Sequence, residues 1–210
     1  MNPLHGLYAI TDNHLMPDDQ TLLAHVHAAI IGGAQVIQYR DKTSDTEKRY
    51  RQACLLNDLC RQHARTFVIN DDVQLAQQCG AHGVHIGQKD SAIEIARQTL
   101  GENAIIGVTC HDQLALATSA ALAGADYVAF GAFYPSKTKP DAKPAPITLL
   151  TEAKSILSCP IVAIGGITVD NASQTIAAGA DMIAVVHSLF AAESITQQAE
   201  AFAHAFNWNE

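Results

Sequence analysis

Short apolar runs alternate with longer amphipathic ones along the chain at a regular interval. Eight runs read as strands, at 7–11, 36–39, 66–69, 83–86, 105–108, 127–130, 161–164 and 183–186. They are short and largely unalternating, the pattern of strands buried on both faces in a parallel sheet. Helical segments lie between them. The segment 19–31 opens on acidic residues, which suit the positive end of a helix dipole, and stops at Gly32-Gly33. The segment 46–63 sets Tyr50, Cys54 and Leu55, then Asp58 and Leu59, at about helical spacing. The segment 72–79 ends at Gly80, with Asp72 as its expected N-cap, and 112–123 ends at Gly124.

A small phrase recurs where a helix hands over to a strand: Gly33-Ala34, Gly80-Ala81, Gly124-Ala125-Asp126 and Gly179-Ala180-Asp181. Glycine there ends a helix in the left-handed conformation, so the repeat is structural and no chemistry is assigned to it. Eight strand–helix alternations with right-handed crossovers leave a closed (β/α)8 barrel or an open doubly wound sheet. No GxGxxG follows the first strand, where Ile10-Thr11-Asp12-Asn13 stands instead. The eight-fold count selects an α/β fold of the (β/α)8 TIM-barrel kind, expected as one catalytic domain over 1–210.

Composition narrows the partners. The chain is 48% hydrophobic and 16% charged, enough to bury a core. With 13 Lys and Arg against 21 Asp and Glu, the net charge of −8 repels phosphate backbones, so neither nucleic acid nor an anionic membrane is expected as a partner. A few cations gathered in one cleft can still receive a small anion. The five cysteines form no CxxC pair and are read as reduced thiols. The N-terminus lacks a basic leader with a long apolar run, so no signal peptide is expected. The apolar stretch 114–133 reads as a helix and a buried strand rather than a membrane span, and the protein is expected in the cytoplasm.

In a (β/α)8 barrel the active site lies where the strands end, so the residues following each run carry the chemistry. After the second strand stand Gln38-Tyr39-Arg40-Asp41-Lys42, whose alternation turns Gln38, Arg40 and Lys42 to one side. This is either an anion site or a solvated polar exit from the strand. After the third and fourth strands stand Asn70-Asp71-Asp72 and Gly87-Gln88-Lys89-Asp90. Asp71 and Asp90 could share one Mg2+, which takes few carboxylates and completes its shell with water and phosphate; the alternative is a salt bridge to Lys89 or Arg40. Thr109-Cys110-His111 follows the fifth strand, and a thiol nucleophile there lacks an orienting third group. Most of the ten histidines, among them His25, His27 and His63, fall within helices as partly solvated surface residues.

The loop after the sixth strand, from Gly131 to Pro140, is rich in hydroxyl and ammonium groups suited to phosphate, and runs on through Lys143 to Pro146. It reads as a lid over the mouth or as an idle surface loop. Ile164-Gly165-Gly166 and Val185-Val186-His187-Ser188 end the last two strands, the usual phosphate site of such barrels. Tight packing is the alternative use of the glycine pair.

LYAITD, QYRDK, NDD with a following LA, GVHIGQKD, GVTCH, DYVAFGAFYPSKTK, PIVAIGGI and GADMIAVVHSLF, in this order and spacing, resemble the thiamine phosphate synthase family over nearly the whole chain. The resemblance implies a transferase of thiamine biosynthesis. It would join a hydroxymethylpyrimidine diphosphate to a thiazole phosphate, or its carboxylated form, and release pyrophosphate. It implies that Gln38, Tyr39, Arg40, Asp41, Lys42, Asn70, Thr109 and Lys139 hold the pyrimidine diphosphate, with Arg40, Lys42 and Lys139 catalytic. Asp71 and Asp90 would bind Mg2+, and Ser136, Lys137, Thr138, Gly166, Val186 and His187 the thiazole phosphate. The sequence departs from the family pattern in four places. Thr109 stands for a common Ser, Ala132 and Ser136 for a Pro and a Thr, and His187 for a Ser.

The implied mechanism is dissociative: pyrophosphate leaves, a pyrimidine cation forms, and the thiazole nitrogen captures it. It needs charge stabilisation on the leaving group and no covalent nucleophile. Two other readings stand beside it, a thiazole tautomerase-like barrel and a non-catalytic barrel that binds a phosphorylated ligand. The pyrophosphate cradle of Asn70, Asp71, Asp90 and Lys139 argues for the synthase. Homo-oligomerisation is left open.

Overall fold

Eight parallel strands close on themselves in chain order: β1 (Gly6–Ile10), β2 (Val36–Tyr39), β3 (Thr66–Asn70), β4 (Gly83–Ile86), β5 (Ile105–His111), β6 (Tyr127–Phe130), β7 (Ile161–Ile164) and β8 (Met182–Val185). The structure is a computed structural model that describes residues 4–88, 93–135 and 144–206. β1 pairs with β8 with Leu7 opposite Ile183, which closes the barrel. Helices α1 (Asp19–Ile31), α2 (Thr46–Gln62), α3 (Val73–Cys79), α4 (Ile93–Leu100), α5 (Leu114–Leu122), α6 (Thr148–Ile156) and α7 (Val169–Ala177) follow the first seven strands; α8 (His187–Phe190) and α9 (Ile195–His204) follow the last. The expected (β/α)8 barrel is the fold.

Strand residues of one parity face the helices and those of the other face the barrel axis. Leu7, Ile37, Phe67, Val84, Val128 and Ile183 belong to the outer core against the helices. Tyr8, Val36, Val68, Tyr127, Val162 and Met182 fill the inside. Both faces are therefore buried, which is why the strands show no polar alternation in the sequence. β5 runs three residues past the expected end. Its pairing with β6 steps from Thr109 opposite Ala129 to His111 opposite Phe130, a bulge that absorbs Cys110.

Helix ends follow local chemistry. Asp18, Asp45 and Asp72 accept from Thr21 N, Lys48 N and Leu75 N, so three carboxylates cap α1, α2 and α3. Gly80 ends α3 with φ 68, as its place before a strand requires. The aspartates of two Gly-Ala-Asp turns have a structural role at the strand starts. Asp126 accepts from Ile106 N at 2.7 Å and pairs with Arg97 at 2.8 Å. Asp181 likewise accepts from Ile161 N at 2.9 Å and pairs with Lys154 at 2.6 Å.

Candidate active site

The end of β2 divides by parity. Gln38 is buried and donates from Nε2 to Tyr8 Oη at 2.7 Å inside the barrel. Lys42 pairs with Asp71 at the mouth. Arg40 lies between them in sequence, half-buried, with its backbone N–H on Thr11 Oγ1 at 2.9 Å. The contacts of Gln38 and Lys42 agree with the expected common side for these two.

The side chains of Tyr39 and Asp41 turn the other way, into the helix layer. Tyr39 Oη donates to Gln52 Oε1 at 2.8 Å, and Gln52 Nε2 donates to Asp19 at 2.9 Å, so the phenol is bound into the α1–α2 layer. Asp41 accepts from Thr43 N at 2.7 Å and meets Lys48 at 3.0 Å. Burial alone would raise the Asp41 pKa, but the bonds from Thr43 and Lys48 outweigh it and hold the carboxyl below its ordinary value. Both residues brace the strand end rather than face the mouth.

Asp71 has φ 63, a left-handed conformation that costs a residue with a Cβ about 1 kcal/mol. Its N–H donates to His85 O at 2.8 Å, and its carboxylate accepts from Asn70 Nδ2 at 2.7 Å as well as pairing with Lys42. Among the described residues this carboxylate pairs with Lys42 and not with the expected Arg40. Asp90 and Lys89 lie outside the described residues. Among the described residues no three His, Cys, Asp or Glu side chains gather into a metal cluster.

Below the mouth lies a group that the strand-end reading missed. Tyr8, Tyr127 and His85 are buried inside the barrel and bonded in series: Tyr8 Oη to Tyr127 Oη at 2.8 Å, and Tyr127 Oη to His85 Nδ1 at 3.0 Å. His85 Nε2 then meets Thr109 Oγ1 at 2.8 Å. Burial lowers the His85 pKa to about 4, against a smaller opposing pull from Asp71, so the imidazole is neutral at pH 7. Burial raises both phenols. Gly107 makes room for this group, since a Cβ there would lie 1.9 Å from Tyr127 Cζ. The available signal was polarity within buried strands, a His in GVHI and a Tyr in LYAI.

The loops after β6 and β7 are sewn together. Tyr134 N donates to Gly165 O at 3.0 Å, and Ala145 N to Ala132 O at 2.7 Å. Gly166 has φ 66, and a Cβ on it would lie 2.4 Å from Pro135 O. Close packing therefore requires the glycine pair, whatever it binds. Asn171 Nδ2 also holds Gly166 O, at 3.2 Å. Ser136, Lys137, Thr138, Lys139 and Lys143 lie outside the described residues, but Pro135 delivers the chain to Gly166. His187 opens α8 as an exposed residue, with Val186 half-buried before it. Cys110 is buried, its thiol pushed up to about 12 by burial, which leaves it inert as a nucleophile beside His111.

Residues 7–189 match the family model described as thiamine monophosphate synthase. The chain is 52% identical over 203 residues to the thiamine-phosphate synthase of Thioalkalivibrio sulfidiphilus, covering 97% of this chain and 96% of that one. It is 50% identical over 207 residues to that of Nitrosococcus oceani, covering 98% and 95%. The structure of a thiamine phosphate pyrophosphorylase from Pyrococcus furiosus superposes with a TM-score of 0.88 at 33% identity, covering 98% of this chain and 96% of that one.

Proposed function

The chain belongs to the thiamine monophosphate synthase family, and on that premise we propose how its barrel mouth performs the family's reaction. It is a transferase that forms thiamine phosphate by joining a pyrimidine diphosphate to a thiazole phosphate, with release of pyrophosphate. Gln38, Asn70 and Thr109 hold the pyrimidine diphosphate, while Arg40, Lys42 and Lys139 receive its phosphate oxygens. Ser136, Lys137, Thr138, Gly166, Val186 and His187 hold the thiazole phosphate, in its plain or its carboxylated form.

Asp71 and Asp90 would hold Mg2+. The donor chemistry of Asp71 fits, because its carboxylate stands at the mouth and already carries a cation, the Lys42 ammonium. When bound, the ion supplies charge stabilisation to the departing diphosphate. The protein's own residues do the rest. Lys42 and Arg40 present positive charge where negative charge develops, and Asn70 orients Asp71. Buried neutral His85 keeps positive charge from beneath the pyrimidine cation. No proton is taken from carbon, so the absence of a strong general base from this scheme is in order.

The observation that carries this reading is the Lys42–Asp71 pair at the β2 and β3 ends, a cation and a metal-type carboxylate side by side. Mixing both substrates with Mg2+ and following pyrophosphate tests it. Release that requires both rings is the expected result. Thiazole isomerisation without release would mark a tautomerase, and binding without either would mark a silent barrel. A cytoplasmic location is supported by five free cysteines; among the described residues no helix is long and apolar enough to cross a membrane.

A further inference from the structure

Gln38, Tyr8, Tyr127, His85 and Thr109 form an unbroken run of hydrogen bonds across β2, β1, β6, β4 and β5. Counting protons gives the run a direction. An amide nitrogen only donates, so Tyr8 Oη accepts from Gln38 Nε2 at 2.7 Å. Tyr8 has one proton, and Tyr127 Oη at 2.8 Å is its remaining partner among the described residues. Tyr127 must then give its own proton to His85 Nδ1, 3.0 Å away. The imidazole carries its proton on Nε2 and donates to Thr109 Oγ1 at 2.8 Å. The Thr109 hydroxyl proton is left over, directed away from the run.

A doubly protonated imidazole does not fit this count. It would donate to Tyr127, which would pass its proton to Tyr8, whose own proton would then face the Gln38 amide donor. Turning the amide over instead reverses all four bonds together. No mixed arrangement of neutral groups keeps all four.

We propose that Tyr127 and His85 are positioning residues that couple the two ends of the run, so that Gln38 presents an acceptor and Thr109 a donor to the aminopyrimidine diphosphate. This rests on the assignment of Gln38 and Thr109 to that substrate. The chemistry matches: the exocyclic amine of the ring donates to Gln38 Oε1, and a ring nitrogen accepts from the Thr109 hydroxyl. An amine that donates to an amide oxygen releases more electron density into the ring, which favours the pyrimidine cation. The three inner side chains are buried, so water does not compete for these bonds.

Two measurements on the full-length protein test the proposal. Nitrogen-15 NMR of the wild-type histidines, with the His85 signals assigned by their loss in His85→Gln, should show His85 protonated on Nε2 alone; protonation on Nδ1 overturns the proposal. Tyr127→Phe breaks the run at its centre and should lower kcat/KM for the pyrimidine diphosphate about 10-fold, the scale of one buried hydrogen bond. The KM for thiazole phosphate and inhibition by inorganic pyrophosphate should stay unchanged. An unchanged pyrimidine kcat/KM, or a rise in the thiazole phosphate KM as large as the pyrimidine loss, overturns the proposal. Should Tyr127→Phe fail to fold, the NMR result decides alone. A wild-type protein that releases no pyrophosphate would instead overturn the functional reading, and the His85 tautomer would still test the run.

Discussion

Gly107 and Tyr127 share one volume: a Cβ on Gly107 would lie 1.9 Å from Tyr127 Cζ and 2.3 Å from its Oη. β5 therefore yields the space in which β6 places a phenol on the barrel axis. Gly107→Ala adds a methyl group with no room to take it and is expected to destabilise the fold by about 1–3 kcal/mol. Combining it with Tyr127→Ala should cost less than the sum of the two single changes, because the cavity made by one accepts the methyl of the other. Urea midpoints of the three variants check this. Strict additivity would show that the two sites do not share space.

Tyr39→Phe is expected to keep turnover within about two-fold of wild type, since the lost hydroxyl faces Gln52 and not the mouth. Stability should fall by about 1 kcal/mol, the net value of one buried hydrogen bond. Steady-state kinetics and thermal unfolding read the two effects separately. A large rise in the pyrimidine KM would return the phenol to the substrate site.

Asp71 separates stability from activity. Asp71→Gly removes the left-handed penalty of about 1 kcal/mol and also a part-exposed ion pair worth about 0–1 kcal/mol. Unfolding should therefore be nearly unchanged, while pyrophosphate release falls by about 100-fold or more. Asp71→Ala should lose the same activity and also be less stable than Asp71→Gly. Near-normal turnover of either variant at limiting Mg2+ would remove Asp71 from the metal site.

His85 predicts a pH dependence of stability. Its pKa is about 4 in the folded chain and 6.5 as a free side chain. Between those values the unfolded chain binds a proton that the folded chain does not, so stability falls as pH drops from 6.5 towards 4. The full loss from this group is about 3 kcal/mol. Denaturant unfolding at pH 7 and pH 5 should show a smaller decline in His85→Gln than in wild type. Parallel declines would assign the pH effect to other groups.

The strand runs were legible because both sheet faces are apolar, and four of the eight, including Val36–Tyr39 and Ile161–Ile164, have the expected ends. Lys42 and Asp71 were legible as strand-end charges, though not as each other's partners, since pairing across 29 residues depends on how β2 and β3 register. The partners of the Tyr39 and Asp41 side chains, Gln52 and Lys48, were not legible, because which parity of β2 meets the helices is set only when the barrel closes. His85 and Tyr127 escaped for another reason: a lone polar residue within an apolar strand resembles a tolerated core position. Only closure of the barrel brings five strands' worth of such residues into one line.

The two aspartate clamps, Arg97–Asp126 and Lys154–Asp181, stand at the strand starts, the end of the barrel away from Lys42 and Asp71. The ion pairs that brace the barrel floor and the charged residues of the mouth thus occupy opposite ends of the molecule. A lineage moving to a hotter habitat could strengthen that floor by successive charge changes, and the mouth would need no retuning to follow.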